Sequence, residues 1–289
     1  MVRPLRPFVV LRPLFFNTED AMTQARPHAQ DHAQNGLLAE VRPGLKLHIG
    51  SDEPHGPRRN RLLACLPESV WQRWQTRLEP IDLPLGKVLC EPRERICHVV
   101  FPTTAIVSLL YLTENGNSAE IAVIGNEGMV GTWLPMGGGT THSRAVVQSA
   151  GRGFRLSASV LMADFEQSGA VMHLLLRYTQ ALLTQTSQTA VCNRHHSLEQ
   201  QLCHWLMLSL DRLASNHIVM TQELIANMLG VRREGVTEAA GHLQKAGLID
   251  YHRGHIEVKN RVGLEARSCE CYRVVKNEYD RLLPAEIAT

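Results

Sequence analysis

A chain of 289 residues, 44% hydrophobic and 20% charged, has the composition of an ordinary folded protein and the length of two domains rather than one small module. Its seven cysteines, odd in number and scattered, argue against a disulfide framework and for a reducing cytoplasm. No run approaches the roughly 18 unbroken apolar residues of a bilayer span, so no membrane association is expected. The net charge of +2 sits entirely in residues 1–60, with eight Lys/Arg against six Asp/Glu, while residues 61–192 balance ten against ten and residues 193–289 twelve against twelve. Net charge therefore gives no footprint for a polyanionic partner, and any such role must rest on where single charges stand.

Residues 1–57 carry Pro4, Pro7, Pro13, Pro27, Pro43, Pro54 and Pro57 with no sustained periodicity, which reads as a disordered extension. The apolar stretch from Phe8 to Phe16 is cut by Arg12 and Pro13, so it is too short for a secretory core. Met22 leaves open a start downstream of residue 1. A helix is predicted over Leu62–Leu78, followed by short β-branched segments at Val88–Cys90, Val99–Phe101, Ile106–Leu112, Glu120–Ile124, Ala145–Ser149 and Gly153–Leu156. Asn115-Gly116 between two of these is a hairpin signal. Many short strands at this spacing predict an antiparallel barrel or sandwich over residues 58–159. A proline-free stretch at residues 160–192 follows, with Phe165, Met172, Leu175, Leu182, Thr186 and Thr189 near a/d spacing and Leu174, Leu176 and Leu183 widening the stripe. It predicts one long helix, either simply buried or paired with its twin in a dimer.

Residues 193–289 read as helices with one hairpin: Leu198–Leu213, Gln222–Leu229, Arg232–Ala246, a hairpin turning at Arg253-Gly254, and a last helix over about Leu264–Leu283. Thr221 suits the N-cap of the second of these, Ala226 a close helix crossing, and Gly230 a turn that needs positive φ. Arg232, Arg233 and Glu234 open the following helix. This order is that of a helix-turn-helix with a wing, in which the second helix enters the major groove of double-stranded DNA. An arginine there can bind guanine through two hydrogen bonds, and a glutamate can accept from cytosine. Thr221, Gln222, Glu223, Arg232, Arg233, Glu234, Thr237, Glu238 and Arg253 are the candidate DNA-contacting residues.

From about Arg61 onward the chain resembles the Crp/Fnr superfamily of bacterial transcription regulators. Arg233-Glu234 falls on the pair that reads a G·C step in that family. The segment Leu243-Gln244-Lys245-Ala246-Gly247-Leu248-Ile249 resembles its passage from recognition helix to wing. Leu85-Gly86 and Gly128-Met129-Val130-Gly131 resemble glycine turns of its cyclic-nucleotide-binding-type barrel. The resemblance implies an α+β fold with a jelly-roll type barrel, a dimerisation helix and a C-terminal winged helix-turn-helix. It also implies a homodimer on palindromic promoter sites, in contact with RNA polymerase. Thr132 stands where cyclic-nucleotide binders place a ribose-holding glutamate, and their phosphate-binding Arg-Ser pair falls near His142-Ser143, with Arg144 one residue away. Thr186-Ser187 matches the pair that touches the base. These six form the candidate effector pocket, from which a response to cyclic AMP is not expected. Glu238 replaces an arginine of the cyclic-AMP-responsive members. No cysteine precedes Cys65, so the N-terminal iron–sulfur signature is missing, and no histidine stands out as a haem ligand. The alternative reading is a ligand- or redox-sensing interaction module with a vestigial DNA-binding half.

Two thiols at Cys269 and Cys271 point about 200° apart on a helix, so the sequence predicts packing or redox sensitivity there and no metal site. His195-His196, His252 and His255 are the histidines available to complete such a site, yet spacing brings none of them to it. Cys90 and Cys97 read as small buried hydrophobes. Gly137-Gly138-Gly139-Thr140-Thr141 lacks the lysine and the helix of a phosphate loop, and reads as a barrel loop. No nucleophile and base stand at recognisable spacing, so neither an enzyme nor a cofactor is expected.

Overall fold

The computed structural model describes residues 56–284. The expected extension lies outside them apart from its last two residues.

The predicted helix over residues 62–78 is two helices. Asn60 caps α1 (Arg61–Ala64) by accepting from Leu63 N at 3.2 Å, and α2 (Glu68–Trp74) begins after Pro67. Proline cannot continue a helix interior but is tolerated at its start, so Pro67 divides the segment. Seven strands follow: β1 (Glu79–Leu83), β2 (Val88–Cys90), β3 (His98–Pro102), β4 (Ile106–Leu112), β5 (Ser118–Ile124), β6 (Ser143–Ser149) and β7 (Gly151–Ser157). They form two antiparallel sheets, ordered β1-β7-β3 and β2-β6-β4-β5. The sequence misses β1 because Pro80 looks like a breaker. As an edge strand, β1 tolerates a residue that cannot donate.

The β4–β5 hairpin turns where expected, with Gly116 at φ 85° and its N–H donating to Thr113 O at 3.0 Å. Between β6 and β7 the chain switches sheets, and a Cβ on Gly151 would lie 2.5 Å from the Thr104 backbone. The inner faces bury Leu83, Val100, Val107, Leu109, Ile124 and Val147 as one apolar cluster. This is the antiparallel layout expected from strand spacing and the jelly-roll type implied by the resemblance.

The long helical stretch is also divided. α3 (Ala158–Gln167) ends at Ser168, and α4 (Gly169–His195) starts there with the Ser168 hydroxyl accepting from Val171 N. The predicted seam is corrected too. Leu174 and Leu175 are buried inside their own chain, whereas Leu176 and Leu183, seven residues apart, are 49% and 52% exposed. α4 docks on the barrel through Tyr178, whose hydroxyl donates to Met129 O at 3.0 Å. Gly128 is needed for that approach, since a side chain there would run into the Tyr178 ring.

The C-terminal part comprises α5 (Leu198–Leu210), β8 (His217–Val219), α6 (Gln222–Leu229), α7 (Arg233–Lys245), β9 (Ile249–His252), β10 (His255–Val258), α8 (Arg261–Arg267) and α9 (Glu270–Leu282). β8, unforeseen from sequence, pairs with β10 and completes a sheet ordered β8-β10-β9. The predicted final helix breaks at Ser268-Cys269 into α8 and α9. α9 packs along α4, and α6 against β5. Among the described residues, no helix is long and apolar enough to cross a membrane.

Candidate nucleic-acid interface

Local chemistry sets the angle between α6 and α7. Thr221 Oγ1 accepts from Leu224 N at 3.2 Å and so caps α6. Gly230 ends that helix at φ 66°, a left-handed conformation that glycine takes at least cost. Ile225, Ala226, Met228, Val236, Ala239 and Leu243 bury the shared face. A polar tie crosses it: Thr237 Oγ1 is within donating range of Gln222 Oε1 (2.8 Å) and Arg233 O (3.0 Å). Two of the candidate DNA contacts, Gln222 and Thr237, therefore also brace the motif.

The remaining candidates lie outward. Glu223, Arg232, Arg233, Glu234 and Glu238 are exposed, and among the described residues none of them has an ion-pair partner. Arg233 and Thr237, like Glu234 and Glu238, are four apart and share a face of α7. Behind them Tyr251 donates to Met220 O at 2.8 Å; burial pushes its phenol up to about 12, against the pull of nearby Arg233. At the wing tip, Arg253 and Gly254 both have positive φ, 49° and 84°. This two-residue turn matches the twist of the flanking strands. It holds an arginine in a conformation that glycine or asparagine takes more readily.

The effector candidates do not converge as free ligands. Thr132 is buried with its hydroxyl donating to Met129 O at 3.5 Å. Ser143 is buried and its N–H donates to Thr141 Oγ1, while His142 is exposed. Arg144 donates to Glu91 Oε1 from Nη2 at 2.5 Å and from Nε at 3.1 Å. The Thr186 hydroxyl bonds back to Leu182 O, and Ser187 faces out.

Three features escaped the sequence. First, Arg212 and Glu127 form an ion pair at 2.9 Å with side chains only 4% and 6% exposed. Arg212 also donates to Gln185 Oε1 and Leu208 O, and its guanidinium lies 5.7 Å from the Tyr279 ring centre. The network joins a barrel loop to α4, α5 and α9. Second, Glu120 on β5 is buried beside a cavity lined by Gln185, His204, Trp205 and Met228, and burial pushes its carboxyl up to about 8. Third, Cys269 and Cys271 are buried as expected, but the helix geometry expected between them is corrected. Cys269 is the N-cap of α9 and not part of a continuous helix, so the two thiols turn toward one another. With Cys192 and His196 they form a cluster whose ligand atoms all lie within 4.8 Å. The signal was present as Cys-x-x-x-His at the end of α4 and Cys-x-Cys at the start of α9. His195, His252 and His255 stand apart from the cluster, and His195 is exposed. Cys90 is buried as expected, but Cys97 is exposed.

Residues 200–267 match the family model of the Crp-like helix-turn-helix domain. No curated protein matches the chain by sequence. Solved structures give the fold. A protein from Eubacterium rectale assigned to the Crp/Fnr transcriptional regulators is 16% identical, with a TM-score of 0.58 over 73% of this chain and 98% of its own. FixK2 from Bradyrhizobium japonicum is 15% identical, with a TM-score of 0.55 over 66% and 98%. The Crp/Fnr-family regulator TTHA1359 from Thermus thermophilus is 17% identical, with a TM-score of 0.53 over 66% and 98%. The chain thus carries a Crp-like helix-turn-helix on a Crp/Fnr-type fold.

Proposed function

We propose that this chain is a DNA-binding transcription regulator of the Crp/Fnr type that binds palindromic promoter sites as a homodimer. The observation that carries the reading is Arg233 and Glu234, exposed at the start of α7 and without ion partners among the described residues, inside the segment that matches the helix-turn-helix family. These charged side chains sit at the end of the helix that meets base edges. Arg232, Glu223, Glu238 and Arg253 flank them as candidate contacts, with Thr221, Gln222 and Thr237 holding the two helices. The reading carries with it a cytoplasmic location and contact with RNA polymerase.

Selection from random DNA by the full chain should enrich a palindrome with half-sites about one helical turn apart. Arg233→Ala should then lose about 1–3 kcal/mol on that palindrome and relax preference at one position of each half-site. Equal losses on selected and random DNA would make Arg233 a phosphate contact only. Failure to enrich any sequence would favour an interaction module whose helix-turn-helix no longer reads DNA.

The barrel in this reading does not respond to cyclic AMP. Glu91 already pairs with Arg144, one residue in sequence from the expected phosphate-binding pair, and the Thr132 hydroxyl bonds to Met129 O instead of standing free for a ribose. Losing two charge-assisted contacts, each about 1.5–3 kcal/mol, weakens binding by two orders of magnitude or more. Calorimetry with cyclic AMP and cyclic GMP tests this. Micromolar binding abolished by Thr132→Val would overturn it.

A further inference from the structure

The end of α4 and the start of α9 bring four side chains with metal-ligating atoms to one point. Cys192 and His196 are four residues apart, one helical turn, so both face the same way. Cys269 caps α9 and Cys271 lies in its first turn. Cys192, Cys269 and Cys271 are 2%, 4% and 0% exposed, and they form a buried cluster of their own, separate from both apolar cores. We propose that Cys192, His196, Cys269 and Cys271 bind one zinc ion in a closed tetrahedral site.

The distances discriminate between candidate occupants. With Zn–S near 2.3 Å and Zn–N near 2.0–2.1 Å, a tetrahedron sets two thiolates ~3.8 Å apart and a thiolate ~3.6 Å from an imidazole nitrogen. Cys192 Sγ and Cys269 Sγ are 3.5 Å apart, Cys271 Sγ and His196 Nδ1 are 3.6 Å apart, and no pair of ligand atoms exceeds 4.8 Å. An iron–sulfur cluster spreads its thiolates over several irons and needs them farther apart. Hard cations such as magnesium and calcium take oxygen ligands, of which this set offers none.

The surroundings suit an ion. His196 Nε2 lies 3.4 Å from Glu270 Oε1, the carboxylate–histidine pairing that fixes the tautomer and aims the other nitrogen at a metal. His204 is buried, and neither ring nitrogen has a hydrogen-bond partner among the described residues. It lies beside Cys269.

The site would clamp the last helix to the helix that leads out of the barrel. Full-length chain purified anaerobically should carry about one zinc per chain by mass spectrometric metal analysis. Cys97→Ser should keep it, and Cys271→Ser should lose it. Glu270→Gln, which leaves all four ligands, should weaken zinc by about 10–100-fold in competition with a chromophoric chelator. As a check that does not depend on any variant folding, Co2+ titrated into the stripped, reduced wild-type chain should give the intense visible bands of a tetrahedral thiolate site. These should saturate at one equivalent and be displaced by zinc. Substoichiometric zinc in the wild type together with no saturating cobalt spectrum would overturn the site. So would full zinc retention in a folded Cys271→Ser, or a metal-free protein whose only response is a Cys192–Cys269 disulfide in air. None of these readouts involves DNA, so the zinc site and the regulator reading fail independently.

Discussion

Glu120 shows how one buried side chain sets a pH dependence. Its Oε2 lies 2.5 Å from Ser108 Oγ, which in turn lies 2.7 Å from Gln148 Oε1. A hydroxyl has a single proton and cannot donate to both neighbours. A protonated Glu120 resolves the conflict: it donates to Ser108, and Ser108 donates to Gln148. Burial, which holds the carboxyl up at about 8, acts in the same direction. Because the folded state keeps a proton that the unfolded chain releases near 4.5, stability falls as pH rises from about 4.5 to 8. The slope is at most about 1.4 kcal/mol per pH unit. Relative to the wild type, Glu120→Gln should gain stability in urea unfolding as pH goes from 5 to 8. Parallel pH profiles for the two proteins would refute it.

At the scale of elements, α4 has one face for its own chain and one left over. Leu175 packs inward, so an aspartate there would unfold the protein and report nothing about pairing. Leu176 and Leu183 are the residues to change, because they are exposed at heptad spacing on the opposite side. Leu176→Asp with Leu183→Asp should give monomers in sedimentation at micromolar concentration while the far-ultraviolet spectrum is retained. A dimer that survives would rule out this face. The stripe was legible from periodicity, but its phase was not. Apolar positions as dense as Leu174, Leu175, Leu176, Leu182 and Leu183 fit either side of a helix until the barrel occupies one. Breaks were missed for a related reason: the Ser168 hydroxyl caps α4, and Ser268 ends α8 with its N–H on the Leu264 and Glu265 carbonyls, bonds that a hydrophobic pattern does not register. The helix-turn-helix was legible because its constraints are local, in Thr221, Ala226 and Gly230. The metal-ligand cluster was not, because it joins residues 77 apart in the chain.

For the whole molecule, the Arg212–Glu127 pair is the polar joint between barrel and DNA-binding half, and Gly125 leaves room for the Arg212 side chain, which a Cβ would meet at 2.7 Å. Removing one partner strands a buried charge. Arg212→Met should cost about 3–5 kcal/mol in urea unfolding, and adding Glu127→Gln should restore much of the loss. Strictly additive losses would mean the two groups do not depend on each other. The same architecture returns the end of the described residues to their beginning: Arg61 on α1 donates to Asp280 at 3.2 Å and to the Leu283 carbonyl. During synthesis the barrel strands leave the ribosome long before α9, the helix that covers α4. Until then the part of α4 that faces α9 has no cover, and closure awaits a contact more than two hundred residues away in sequence. Such a chain matures late and as one unit, so a nascent polypeptide halted before α9 is a substrate for chaperones and not yet a regulator.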